Sequence, residues 1–297
     1  MSHIKEDGMK LGLHINDMSW PGGANQISPT LIKIAQTADA GGFDRLSVGD
    51  HVWQSPYLGG PEREVLSCYP TLAYLAAHTS RLKLLALATA SPYWQPVLLA
   101  KTVTTLDVLS GGRAWLGIGA GDYKESGLPF PPLQERYERL EEMLQICLRM
   151  WQGEQGDEHP YEGKYSHIER PLNLPQSLSR PHPPILIAGS GEHKTLRLVA
   201  RYADACNLRP GPQIQQKLEV LQKHCEAEGR DYDAIEKTRM FAFDVGEDGS
   251  KVGDLTGQLC WLASMGIQTV LGVVPHGYRI TPLEIIGREV LPAVADL

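Results

Sequence analysis

A dipeptide of aspartate and histidine, Asp50-His51, directly follows an apolar run of the kind that forms a buried strand. Histidine changes its protonation near neutral pH, and an adjacent carboxylate can accept a hydrogen bond from a bound molecule. The pair is therefore a candidate for proton transfer, with His51 as the proton donor or acceptor. A capping aspartate beside a packed loop histidine would leave the same two residues, so both interpretations stay open.

Two glycine-rich segments also follow predicted strands. Gly189-Ser190-Gly191 lies between a strand and a helix, where backbone N–H groups and the helix dipole could hold a phosphate. A tight turn with Ser190 as the helix N-cap explains that sequence equally well. Residues 117–121 lack the third glycine of the dinucleotide fingerprint and are not followed at once by a helix, which excludes a Rossmann site. Their glycines allow a planar group to approach the backbone.

Aromatic rings and imidazoles cluster after several predicted strands, and they are the candidate lining of a substrate pocket. Many rings and few charges favour a flat aromatic cofactor, although such rings more often serve in packing. A metal site is not predicted, because the histidines show no HxH or HxxxH spacing and no cysteine partner. The candidate pocket residues are His14, Trp53, Tyr93, Trp94, Tyr123 and His276.

These candidates need a scaffold, and apolar runs that alternate with helix-like windows indicate repeated βα units around a parallel sheet. Continuous apolar runs are typical of parallel strands that are buried on both faces. The predicted strands cover residues 9–15, 43–48, 81–89, 113–118, 184–188, 203–208, 238–245 and 267–274. Predicted helices cover residues 96–109, 135–151, 192–202, 212–228 and 253–265.

Capping signals place the ends of the other helices. Ser28-Pro29 reads as an N-cap followed by a proline at the first helical position, and Gly41-Gly42 should end that helix. Residues 281–284, Thr-Pro-Leu-Glu, read as a capping box for the last helix. The charged run over residues 135–142 is interpreted as a solvated helix face.

Eight strands that alternate with helices predict an α/β fold, a (β/α)8 TIM barrel, as one domain over residues 1–297. Residues 152–183 break the alternation, and we expect them to form an insertion after the fourth βα unit, over one barrel mouth, with at most a short hairpin. In such barrels the reactive groups gather at the carboxyl ends of the strands, which is where the candidate residues lie.

Bulk composition excludes several classes of partner. A net charge of −7 over 297 residues offers nothing to attract nucleic acid or an anionic membrane. The first eight residues contain no apolar h-region, and the longest apolar stretch, residues 84–90, is far too short to span a bilayer. We therefore expect a soluble cytoplasmic protein. Its five cysteines are odd in number and share no CxxC spacing, so they are interpreted as reduced thiols.

Several segments together resemble the bacterial luciferase-like superfamily, and within it the branch that uses the 8-hydroxy-5-deazaflavin coenzyme F420. The resemblance covers residues 9–296 in matching order and is carried by four segments, which are specific jointly rather than singly. They are Phe43-Asp44 through Asp50-His51-Val52-Trp53, residues 104–113 (TTLDVLSGGR), Leu116 to Gly121, and Pro183 to Gly191. The resemblance implies a barrel and hydride transfer to or from the deazaflavin.

Site residues follow from the resemblance by position. Asp50 is similar to the family aspartate that binds the cofactor, and His51 to the histidine that exchanges a proton with the substrate. The resemblance implies cofactor contacts for three further stretches. Leu87, Ala88 and Thr89 match a strand with a non-prolyl cis peptide behind the cofactor ring. Gly119, Ala120 and Gly121 resemble the stretch that lines the cofactor chain, and Gly189, Ser190 and Gly191 resemble the phosphate loop. Asp122 stands where sugar-phosphate dehydrogenases of the family have a glutamate acid, and it is the second catalytic candidate.

The expected function is therefore an F420-dependent oxidoreductase acting on an unidentified small organic substrate. The absence of lysines that match the sugar-phosphate grip of related dehydrogenases argues against that substrate. Two alternatives stay open: an FMN-dependent monooxygenase, whose members often carry Glu-His-His where this chain has Asp-His, and a non-catalytic flavin-binding barrel. Family members commonly form dimers, which implies a homodimer.

Overall fold

The computed structural model describes residues 8–122, 124 and 127–297. Within them, parallel strands close into an eight-stranded barrel in which a short ninth segment, β4, continues β3. The barrel strands are β1 Lys10–Ile15, β2 Arg45–Val48, β3 Lys83–Ala86 with β4 Thr89–Ala90, β5 Ala114–Gly119, β8 Ile185–Ala188, β9 Ala205–Leu208, β10 Glu236–Ala242 and β11 Thr269–Val273. The TIM-barrel prediction is confirmed.

Helices surround this barrel and pack their apolar faces on its outer surface, which is why the strands read as continuous apolar runs. They are α1 Ala24–Gly41, α2 Cys68–Ala76, α3 Pro96–Ser110, α4 Leu133–Met150, α5 Thr195–Tyr202, α6 Ile214–Glu228, α7 Val252–Ser264, α8 Thr281–Ile285 and α9 Leu291–Val294. A π-helical turn, Ile286–Val290, joins the last two. α1 ends at Gly42, which has a φ of 90°, as the glycine pair predicts.

Two predicted helix starts are wrong. α1 begins at Ala24 and holds Pro29 inside, so Ser28 is not its cap; the Ser28 hydroxyl instead hydrogen-bonds that of Tyr74, 2.7 Å away. Buried Ile27 draws the earlier turn onto the core and outweighs the local proline signal. In α8 the N-cap is Ile280, and Thr281 is already helical, so the predicted capping box does not form.

Residues 152–183 form the predicted insertion, with a two-stranded hairpin of β6 Tyr161–Glu162 and β7 His167–Ile168. The segment leaves the end of α4 and leads into the start of β8, so it begins at the amino end of the barrel. It packs on the outer helices: Asn173 donates to Thr104 Oγ1 of α3, and Glu142 of α4 accepts from the Tyr165 backbone. Its expected position over one barrel mouth stays a prediction.

The amino end of the barrel is filled by a buried ion cluster. Arg45, with 1% of its surface exposed, donates from Nε to Asp44 Oδ2 at 2.6 Å and from Nη2 to both oxygens of Glu236 at 2.8 and 3.0 Å. Its guanidinium lies 4.5 Å from the centre of the Trp115 ring, and Lys83 Nζ donates to Asp44 at 2.7 Å. Further along the barrel interior, an apolar cluster follows, made of Leu85, Leu186, Ala205 and Leu271.

No helix in the described part of the chain is long and apolar enough to cross a membrane. All five cysteines are free thiols; four are buried, and Cys260 is half-buried. Burial raises the pKa of Cys147 and of Cys206 to about 12, so both stay protonated near neutral pH.

Candidate active site

A cavity opens at the carboxyl ends of the barrel strands, where the fold predicts reactive groups. Its wall joins the ends of β1, β2, β4, β5, β8, β9 and β10, so residues distant in sequence meet there. The lining residues are His14, His51, Leu87, Ala88, Thr89, Ala90, Tyr93, Gly119, Ala120, Gly121, Asp122, Ala188, Gly189, Asn207, Arg209, Pro210 and Met240.

His51 reaches this cavity from the loop after β2, and Gly49 shapes its position. A Cβ atom placed on Gly49 would lie 3.1 Å from Cδ2 and 3.6 Å from Nε2 of the His51 ring, so the imidazole packs directly on that bare backbone. A larger residue at position 49 would push the ring away. The neighbouring Asp50 accepts a 2.8 Å hydrogen bond from the indole Nε1 of Trp94. Trp94 therefore holds the aspartate in place, and neither Asp50 nor Trp94 is among the residues that line the cavity.

His14 comes from β1 and is buried in the cavity wall, with 7% of its surface exposed. Its Nδ1 lies 2.9 Å from Ser47 Oγ, a residue that β1–β2 pairing places directly beside it. Burial, together with the nearby His51, lowers the pKa of His14 to about 4. This imidazole is therefore neutral near pH 7. A histidine on the surface, in contrast, titrates around pH 6.5.

The backbone between β3 and β4 forms a further wall, and the Leu87–Ala88 peptide bond is cis, as the resemblance implies. Thr89 is fully buried, and its hydroxyl lies 2.7 Å from the Tyr69 hydroxyl. The Tyr69 ring in turn packs edge-on against Trp94, with ring centres 5.2 Å apart. One connected set of rings therefore supports both this wall and Asp50.

The loop Gly189-Ser190-Gly191 lines a second cavity together with Arg136, Tyr137, Thr195 and other residues. Helix α5 begins only at Thr195, so Ser190 is not its N-cap; Ser190 Oγ instead accepts a 2.8 Å hydrogen bond from the Arg209 backbone N–H. Gly189 has a φ of 128°, which favours glycine, and a Cβ on Gly191 would lie 2.9 Å from Thr195 Oγ1. The loop is thus a close-fitting cradle of backbone and hydroxyl groups.

Two arginines add positive charge to this cradle. Arg136 of α4 donates from Nη1 to the carbonyls of Ala120 and Gly121 at 3.0 and 2.5 Å, and its buried Nε has no hydrogen-bond partner in the described part of the chain. Arg209 forms an ion pair with Asp122, and both side chains are more than half exposed. A phosphate group suits hydroxyls, N–H groups and guanidinium groups in this arrangement.

The two cavities are adjacent, since six residues line both. These are Ala120, Gly121, Asp122, Ala188, Gly189 and Arg209. The first, between His51 and the wall at Leu87, is bounded mainly by apolar groups and bare backbone; the second is rich in hydroxyls and positive charge. The residues present therefore fit a cofactor with a flat ring and a phosphate-bearing chain.

Most predicted site residues lie in these two cavities, but some lie elsewhere. Trp53 is 37% exposed and lies outside the described wall of either cavity, and His276 lines a separate cavity with Asp244, Lys251 and Arg279. His276 has a φ of 53°, and the turn that it starts carries its ring away from His51. Tyr123, another predicted pocket residue, falls outside the described residues. No cluster of potential metal ligands occurs among the residues described.

Several lining residues escaped the sequence-based selection. Arg136 lies in the run interpreted as a solvated face, yet it turns inward under Gly121 with its guanidinium 4.0 Å from the Phe130 ring centre. Asn207 and Met240 point into the cavity from β9 and β10. Asn207 is a polar residue at the end of a predicted strand, the position where site candidates are expected, and its amide donates to Thr238 Oγ1 at 2.9 Å.

The family model described as luciferase-like monooxygenase matches residues 11–263. The oxygenase component of a flavin-dependent trigonelline monooxygenase from Acinetobacter baylyi is 24% identical over 238 residues, which is 76% of this chain and 61% of that protein. An F420-dependent glucose-6-phosphate dehydrogenase from Kineococcus radiotolerans is 27% identical over 241 residues, 78% of this chain and 68% of the relative. The chain thus spans about two thirds or less of these relatives.

Among solved structures, monooxygenase RslO1 from Streptomyces bottropensis has the same fold, with a TM-score of 0.79 at 20% identity. The alignment covers 96% of this chain and 99% of that one.

Proposed function

This chain belongs to the luciferase-like monooxygenase family, and from that premise we propose that it is an F420-dependent oxidoreductase of small organic substrates with His51 as proton donor or acceptor. The observation that supports it most is the pair of adjacent cavities. His51 lines the first, and the Gly189-Ser190-Gly191 cradle lines the second beside Arg136 and Arg209. A ring bound between His51 and Leu87 would place its reacting edge beside one titratable group.

When bound, the deazaflavin supplies the hydride donor or acceptor. The residues of the chain orient the reactants and transfer the proton. Apolar wall groups at Leu87, Ala88 and Met240 exclude water, while His51 exchanges the proton with the substrate at its imidazole nitrogen. Asp50, held by Trp94, is proposed to accept a hydrogen bond from the cofactor. Asp122 would have to leave its ion pair with Arg209 before acting as an acid, so we assign it no proton.

The choice of F420 over FMN rests on the Asp50-His51 pair, because flavin monooxygenases of the superfamily often have Glu-His-His there. The F420-dependent relative from Kineococcus agrees with this choice, whereas the trigonelline monooxygenase component supports FMN as the alternative.

Titrating the full chain with F420 and, separately, with FMN tests the proposal through the absorbance change of each cofactor. We expect F420 to bind more tightly, and FMN binding alone, accompanied by oxygen consumption, would overturn the assignment. Gly191→Val should weaken F420 binding about tenfold or more, since its side chain would enter the cradle and displace charge-assisted hydrogen bonds. Gly253→Val is the matched control, because nothing lies within 4 Å of a Cβ at that position.

Replacing His51 tests the proton step separately from binding. His51→Ala should lower turnover by roughly 10²–10⁴-fold and leave F420 affinity nearly unchanged. His159→Ala is the control, because this histidine is on the surface with 90% of its side chain exposed. Unchanged turnover in His51→Ala would remove this residue from the reaction.

A further inference from the structure

An exposed ion pair lies at the boundary between the two cavities. Asp122 follows β5 and Arg209 follows β9, and their side chains pair across the end of β8, the strand between β5 and β9 in the barrel. Both residues, together with Gly189 directly after β8, line the first cavity as well as the second. The ion pair therefore lies where a molecule that occupied both cavities would pass.

The backbone on each side of this ion pair is held in place. The backbone N–H of Arg209 donates to Ser190 Oγ at 2.8 Å. On the other side, Arg136 Nη1 donates at 2.5 Å to the carbonyl of Gly121, the residue before Asp122. The paired side chains, in contrast, are more exposed than buried, at 60% for Arg209 and 62% for Asp122. The ion pair can therefore open by rotation of its side chains while both loops keep their positions.

Exchange of the Asp122 carboxylate for a phosphate is favourable for Arg209. An ion pair with this exposure favours its closed form by about fivefold at most, because water and salt screen the charges. A phosphate can accept two parallel N–H bonds from one guanidinium, and such charge-assisted contacts are stronger where the site is partly enclosed. The carboxylate that is left behind stays in contact with water, which keeps the cost of opening low.

We infer that Arg209 recognises the phosphate of the bound cofactor and that Asp122 occupies its guanidinium until then. Arg209 exchanges one anionic partner for another, and Asp122 acts as a competing anion within the chain. Asp122 therefore weakens the binding of every phosphate-bearing ligand and excludes anions that bind Arg209 less well than its own carboxylate does. The inference rests on the proposed function, which places a phosphate-bearing cofactor in these cavities, and deepens it.

Two pairs of ligands isolate the contribution of the phosphate. FMN and riboflavin share a ring and differ by the phosphate, and F420 is compared with its deazaflavin core that lacks the phosphate-bearing chain. Absorbance titrations of the full chain give the affinities for wild type, Asp122→Asn, Arg209→Gln and the double variant. Arg288→Gln and Glu289→Gln are matched controls, because they change the net charge equally and break an exposed ion pair whose residues line neither cavity.

For FMN and F420, we expect Asp122→Asn to raise the affinity about 2- to 5-fold, because no carboxylate then competes for the guanidinium. Arg209→Gln should lower the affinity for both about 3- to 10-fold. The gain from Asp122→Asn should be smaller in the Arg209→Gln background, where no ion pair has to open. Riboflavin and the deazaflavin core should bind all variants equally, within about twofold. A crystal structure with either phosphate-bearing ligand should show Arg209 on the phosphate and apart from Asp122.

Three results would each overturn the inference: an affinity for FMN and F420 that is unchanged or lower in Asp122→Asn, a loss in Arg209→Gln that is equal with and without the phosphate, or an intact ion pair in the complex. Failure of the proposed function has a different outcome. If FMN binds and F420 does not, the cofactor assignment is wrong, and FMN with riboflavin still tests Arg209. If no phosphate-bearing ligand binds to wild type or to any variant, both proposals are wrong.

Discussion

Removing the Arg45 guanidinium should destabilise the protein far more than removing a surface arginine. In Arg45→Met the aliphatic chain stays to fill space, while the charge at the amino end of the barrel is lost. Three contacts disappear together: the bond to Asp44, the bidentate contact with Glu236, and the stacking on Trp115.

Breaking a buried ion pair by removing one partner costs about 3–5 kcal/mol, mainly because the remaining charge is left buried. Asp44 keeps Lys83 as a partner, and the Asp44 and Glu236 side chains retain 16% and 18% exposure. These features place the expected loss for Arg45→Met at the low end, about 3 kcal/mol. Arg63→Met, which breaks an ion pair with Asp17 at 43% and 29% exposure, should cost less than about 1 kcal/mol.

Urea unfolding followed by tryptophan fluorescence measures both variants against wild type. The double variant Arg45→Met/Glu236→Gln should be more stable than Arg45→Met alone, because Glu236 then no longer carries an unpaired charge. Equal losses for Arg45→Met and Arg63→Met, or no recovery in the double variant, would refute the reasoning that buried charge dominates here.

Three further predictions concern pH, the acid candidate and the phosphate cradle. Burial opposes ionisation of Asp44, but Arg45 and Lys83 outweigh this effect and hold the pKa of Asp44 below its usual value. The stabilising contribution of Asp44 is therefore complete above about pH 4 and is lost on further acidification. Between pH 5 and pH 3 the free energy of unfolding should fall less for Asp44→Asn than for wild type, and an equal fall would contradict this. Asp122→Asn should change turnover less than about threefold, because no proton is assigned to this exposed, Arg209-paired group; a loss near that of His51→Ala would restore it as the acid. Ser190→Ala should weaken F420 binding about 2- to 10-fold, since the Arg209 backbone N–H loses its acceptor, and unchanged affinity in the absorbance titration would exclude that role.

The barrel itself was predictable because most of its strands contain an apolar run and these runs return at regular intervals. Gly42 and Gly111, with positive φ, end two helices where the sequence places them. The starts of the helices were harder to predict from the sequence. At Ser28 and Thr281 the local capping pattern is present, but burial of Ile27 and the turn at Ile280 set the observed boundaries.

Much of the site could be selected by position after a strand, as with His51 and Gly119, which line the same cavity. Arg136 could not be selected in this way, because an arginine that faces inward cannot be distinguished in sequence from the solvated charged residues of the same helix. His276 shows the opposite error: it follows a barrel strand, but the turn after β11 carries it to another cavity. The conformation of the loop after a strand determines which cavity the side chain enters, and hydrophobic periodicity does not predict that conformation.

The apolar cluster inside the barrel has a kinetic consequence. Leu87, Ala188 and Met240, which form the inner wall of the cavity, pack directly on that cluster, so the cavity is sealed at its deep end. A reactant bound against this deep wall is covered by a reactant that binds further out, so the deeper one must bind first and leave last. Steady-state measurements should then follow a compulsory order of addition, in which the later-binding reactant slows the release of the earlier one.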